Sequence, residues 1–66
     1  MLRLSTVNKE IKNLGFDCKL VKRNGYFYFY GADFDKVKDS CVYVNSLNQL
    51  TMQQWLFELK SKLNGN

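Results

Sequence analysis

Asn24-Gly25 is the feature that most narrows what this chain folds into. A two-residue type I′ hairpin turn needs positive φ at both central positions, and asparagine followed by glycine tolerates that best. The runs on either side, Phe16 to Lys22 and Tyr26 to Tyr30, alternate with the period of two expected of strands. Turn length then sets the register: Arg23 opposes Tyr26, Lys22 opposes Phe27, Val21 opposes Tyr28, Leu20 opposes Phe29 and Lys19 opposes Tyr30. Directly opposed residues share a face, so Cys18, Leu20, Phe27 and Phe29 form the expected core side. Lys19, Val21, Arg23, Tyr26, Tyr28 and Tyr30 form the other side.

Helical patterns bracket this hairpin. Leu4, Val7, Ile11 and Leu14 recur at spacings of three and four, with Asn8, Lys9, Lys12 and Asn13 opposite them, so an amphipathic helix is expected from about Thr6 to Leu14. Ser5 or Thr6 is placed to cap it, and Gly15 to end it. After the hairpin, Gly31 to Ser40 reads as a loop anchored by Phe34 and Val37. Cys41 to Val44 reads as a third strand with Val42 and Val44 inward, which puts Tyr43 on the tyrosine side and Cys41 on the face opposite Cys18. Thr51-Met52-Gln53-Gln54 is a capping box, and Leu50 with Trp55 has the spacing of a hydrophobic staple. Met52, Trp55, Leu56, Leu59 and Leu63 make the apolar stripe of this second helix, which Asn64-Gly65 ends. The expected fold is therefore α+β, ordered helix-strand-strand-strand-helix. It is a three-stranded antiparallel sheet with both helices packed on one face, in a single domain over residues 1–66.

Missing residue types bound the chemistry. There is no histidine, so a nucleophilic serine or cysteine would lack its customary base, and enzymatic activity is not expected. Two cysteines without histidine support neither a disulfide scaffold nor a zinc site. Asp33-Phe34-Asp35 opens like a calcium loop, but the third oxygen ligand, the glycine of the sixth loop position and the final glutamate are replaced by Val37, Lys38 and Val44, so no metal is expected there. The four glycines are scattered and make no phosphate-cradling loop, so no cofactor is expected either. The first residues carry no long apolar run, from which an intracellular, cytoplasmic protein with reduced thiols is expected, Cys18 filling core space.

A chain of 66 residues buries only about 60% of its unfolded surface, so packing of its ten aromatic residues has to stabilise the one core. Both helices on one side of the sheet leave the other face bare, and that face carries Tyr26, Tyr28, Tyr30 and Tyr43 beside Lys19 and Arg23. Such a patch of apolar rings with polar tips marks interaction surfaces. The expected role is binding a protein, with a second copy of this chain as one form of partner. The alternative is RNA or single-stranded DNA held by Lys19, Lys22, Arg23 and the tyrosines, which the net charge of +4 favours.

The segments Gly25-Tyr26-Phe27-Tyr28-Phe29, Val42-Tyr43-Val44 and Leu47-Asn48-Gln49-Leu50-Thr51-Met52-Gln53-Gln54-Trp55 resemble a family of small uncharacterised phage and prophage proteins. The resemblance implies a phage accessory protein, a host-takeover or anti-defence binder in the host cytoplasm, and transfers no active residue. Double-stranded-RNA-binding domains and Hic-type toxins share the order of elements. The former use a lysine cluster where this chain has Thr51 to Gln54, and the latter a histidine on the second strand, where only tyrosine and phenylalanine stand here.

Overall fold

A computed structural model describes residues 1–64 of the chain, so the expected stop at Gly65 lies outside the described residues. The elements run α1 (Leu4–Asn13), β1 (Lys19–Arg23), β2 (Tyr26–Tyr30), β3 (Cys41–Val42) and α2 (Met52–Leu63), with single 3-10 turns at Ala32–Phe34 and Leu47–Gln49. The sheet is antiparallel in the order β1-β2-β3. All five expected pairs between β1 and β2 are present, from Lys19 with Tyr30 to Arg23 with Tyr26. The turn itself differs from the expected type I′. Only Gly25 has positive φ, at 90°, and Asn24 does not, which is the φ pattern of a type II turn. Register depends on the number of loop residues, so it survives the change of type.

Several boundaries move, each for an identifiable reason. Helix α1 starts at Leu4 rather than Thr6, and neither Ser5 nor Thr6 caps it. Arg3 stands at the N-cap with no side-chain hydrogen bond, and its carbonyl accepts from the amides of Thr6 and Val7. The earlier start brings Leu4, with Leu2 just ahead of it, against the core. At its other end Gly15 (φ 92°) donates to the Lys12 carbonyl and Phe16 to the Ile11 carbonyl, the two bonds of a Schellman motif. Leu14 becomes the C-cap and is exposed, leaving the stripe it was expected to complete.

Strand β1 begins at Lys19 rather than Phe16 because Asp17 is engaged elsewhere. The Asp33 carboxylate accepts the Asp17 amide at 2.6 Å, and the Asp33 amide donates back to the Asp17 carbonyl at 3.2 Å. Gly31 lies beside this crossing with φ 149°, where a Cβ would come within 2.5 Å of the Asp17 carbonyl oxygen and the Cys18 Cα. Only glycine fits there. Strand β3 stops at Val42 because the Val44 amide turns back to the Val42 carbonyl at 3.1 Å, a three-residue turn centred on Tyr43. Val44 still packs against the core, as the alternation requires.

The core draws Val7 and Ile11 from α1, Leu20, Phe27, Phe29 and Val42 from the sheet, Phe34 from the 3-10 turn, and Trp55 and Leu59 from α2. Both helices therefore place their buried residues against one sheet face. Trp55 meets Phe27 edge-on at 5.1 Å, and Phe34 stacks on Phe29 at 5.3 Å. The Trp55 indole N–H donates to the Leu47 carbonyl at 2.9 Å, so its one polar atom is satisfied. Helix α2 begins with the expected capping box: the Thr51 hydroxyl accepts from the Gln54 amide, and the Gln54 side chain accepts from the Thr51 amide. Ser46 and Gln49 build a second box around the 3-10 turn before it.

Asn8, assigned by its sequence position to the solvent side of α1, does something else. Its amide oxygen accepts the Leu20 N–H at 2.6 Å, and its amide nitrogen donates to the Leu20 carbonyl at 3.1 Å. Leu20 opposes Phe29 between the hydrogen-bonded pairs of the hairpin, so these two groups point away from β2. A single side chain occupies them at the sheet edge.

Candidate functional site

The sheet face opposite the helices holds the site residues read from the sequence, and it divides them into two groups. Tyr26 and Tyr28 are half-buried on β2, with ring centroids 6.4 Å apart. The Tyr43 ring lies 6.0 Å from Tyr26, so three tyrosines form a continuous cluster across the hairpin and the end of β3. Tyr43 reaches the cluster although it is outside the strand, because the turn at Val42–Val44 keeps its side chain outward, where it is 74% exposed.

Arg23, on β1 beside the turn, closes one end of this cluster. Its guanidinium carbon lies 5.6 Å from the Tyr28 ring centroid, and one N–H donates to the Tyr28 hydroxyl at 3.3 Å. That hydrogen bond raises the guanidinium pKa above its ordinary value, so the positive charge at this end is permanent. Asp39 lies just ahead of β3. Its carboxylate accepts the Cys41 amide at 3.0 Å, and Cys41 pairs with Tyr28 on the tyrosine side. The Tyr43 phenol is held above its ordinary pKa, first by the Cys41 thiol and then by the negative charge of Asp39. Asp39 was not singled out from the sequence. An aspartate two residues ahead of a strand, accepting a backbone amide, was the signal that could have found it.

Lys19 and Tyr30 make the second group. They are cross-strand partners at the far end of the hairpin and line an open groove of about 490 Å³ together with Lys12, Phe16 and Asp17. Tyr30 is 63% exposed. Charges of both signs meet in this groove. Lys22 is separated from both groups, since its partner is Phe27 and the alternation sends its side chain to the opposite face from Lys19 and Arg23.

Two further features bear on chemistry. The Cys18 thiol is pushed up to about 11, first by burial and then by the charges of Asp33 and Asp17, so it stays protonated at neutral pH and is a poor nucleophile. Phe57 on α2 points to solvent and belongs to neither group. Among the described residues, no set of three histidine, cysteine or acidic side chains converges in a way that could hold a metal ion. No helix among them is long and apolar enough to cross a membrane. Compared with protein-family models, curated protein sequences and solved structures, the chain matches none.

Proposed function

We propose that this chain is a non-enzymatic accessory protein that acts by docking its tyrosine-rich sheet face on another protein. The observation that carries the reading is the placement of both helices against the phenylalanine face, with Tyr26, Tyr28, Tyr30 and Tyr43 on the other. Tyrosine and arginine are the side chains most often found at the energetic centres of protein interfaces, because they bury large area at small entropic cost and keep a polar tip. A phage or prophage origin, with a host-takeover or anti-defence role in the host cytoplasm, rests on the resemblance of Gly25–Phe29, Val42–Val44 and Leu47–Trp55 alone.

The test is affinity capture from a bacterial host lysate, followed by measurement of the captured partner with purified chain. Tyr43→Ser and Tyr28→Ala are expected to weaken that complex at least tenfold while leaving the circular dichroism spectrum unchanged. Capture that is indifferent to both substitutions would move the docking surface elsewhere. A nucleic-acid partner is the second reading, favoured by the exposed Lys19 and Arg23 on the same face. It requires an affinity that falls steeply with salt, whereas an aromatic protein interface changes little.

A further inference from the structure

The tyrosine face carries a cation set on its rings, and that narrows what it accepts. Tyr26, Tyr28 and Tyr43 form one aromatic cluster with Arg23 stacked on Tyr28, while Tyr30 and Lys19 line the groove. Resting on the reading that this face docks a protein, we propose that Tyr26, Tyr28, Tyr43 and Arg23 are its binding centre. The occupant is a protein segment presenting an apolar side chain beside a carboxylate.

Arg23 is prepared for that carboxylate. Stacking on Tyr28 and the bond to its hydroxyl hold the guanidinium in place, and that bond uses one N–H of five. The remaining donors keep the planar fork that pairs with a carboxylate through two parallel bonds. Holding the side chain before binding also removes part of the ordering cost of association. The adjacent rings offer the apolar seat. Their hydroxyl tips let the same surface remain hydrated when it is empty.

Lys22 is on the other face and Lys19 lies at the groove, which leaves Arg23 as the cation that touches the cluster. One cation set among three rings matches a single carboxylate beside an apolar side chain better than a run of phosphates. At the β1 edge Asn8 already occupies the Leu20 backbone groups, which disfavours strand addition on that side.

The experiment selects binders of the immobilised full chain from a random twelve-residue peptide display library, with the single-stranded oligonucleotide dT20 as the competing probe. Selected peptides are expected to share an aspartate or glutamate next to a large apolar residue. Arg23→Gln should weaken them about tenfold, the usual scale for a lost charge-assisted bidentate contact. Tyr43→Ser, at a position outside any strand, should do the same without changing the melting temperature. Lys19→Gln and Tyr30→Ser should change affinity less than twofold. Converting the peptide's acidic residue to its amide should abolish the effect of Arg23→Gln, which a merely structural role for Arg23 would not do.

Peptides with no acidic preference, a library that yields no binder, or equal losses in the Lys19 and Tyr30 variants would overturn the assignment. So would dT20 displacing the peptides with a steep salt dependence. If selected peptides bind the triple variant Tyr26→Ser, Tyr28→Ser, Tyr43→Ser as well as they bind the unchanged chain, the docking face itself is wrong. If they need the tyrosines but ignore Arg23, only the occupant proposed here is wrong.

Discussion

The two faces of strand β2 differ by little more than one oxygen atom per residue, yet they live in different solvents. Phe27 and Phe29 are 1% and 2% exposed beneath the helices, while Tyr30, next in line, is 63% exposed. Backbone propensity does not separate them, since both residue types favour strands. The hydroxyl does. A buried phenol without a partner forfeits its bonds to water, a loss of about 1–3 kcal/mol, and among the described residues the core contains no buried polar side chain that could receive it. The phenylalanine face is thus selected by packing and the tyrosine face by hydration, and a turn two residues long decides which residue meets which environment.

The largest effect that should expose this asymmetry is Phe27→Ala against Tyr43→Ala. Phe27 packs on Trp55, so truncation should cost about 3–5 kcal/mol and leave the chain largely unfolded by urea titration, whereas Tyr43→Ala should stay within about 0.5 kcal/mol of the unchanged protein. Near-equal losses would mean that the tyrosine face is also core. A subtler exchange moves only the oxygen. Phe27→Tyr should destabilise by about 1–3 kcal/mol, and Tyr28→Phe by less than about 1 kcal/mol through its bond to Arg23, both read from thermal melts.

Asn8→Ala tests the edge rather than the faces. It strands the Leu20 N–H and carbonyl in a partly buried place, with an expected loss of about 1–2 kcal/mol and faster amide exchange at Leu20. Asn8→Asp, which keeps the acceptor and loses the donor, should fall between. A pH-dependent effect concerns Cys18. Its folded-state value, pushed up to about 11 from 9.0, means that the unfolded thiol ionises first, so stability is full below pH 9 and declines as pH rises from 9 toward 11. The difference between the unchanged chain and Cys18→Ala should show that decline, and a difference that stays flat across that range would refute the burial.

Much of the architecture was legible because it was encoded locally. The hairpin register follows from a loop length, and the start of α2 from a four-residue box whose two reciprocal bonds are present. Ser46 and Gln49 obey the same spacing rule and could have been read with it. What escaped was encoded between distant residues. The late start of β1 depends on Asp33, sixteen positions away from Asp17, and the role of Asn8 depends on Leu20, twelve positions away. Turn type escaped because Asn24 tolerates more than one geometry, and only its neighbour glycine reports which was adopted. For the candidate site, period two placed the tyrosines together, but nothing in that pattern separated Tyr30 from the cluster or supplied Asp39.

The Asn8 amide has a consequence for how copies of this chain meet at high concentration. Fibrous stacking of sheets requires two open sides per molecule, one to receive and one to extend. With the Leu20 groups occupied, a strand arriving along β1 has to evict a side chain anchored in a helix, and on that side the Lys22 groups near the turn still face outward. One amide group thereby makes the β1 side a poor template for edge-to-edge growth.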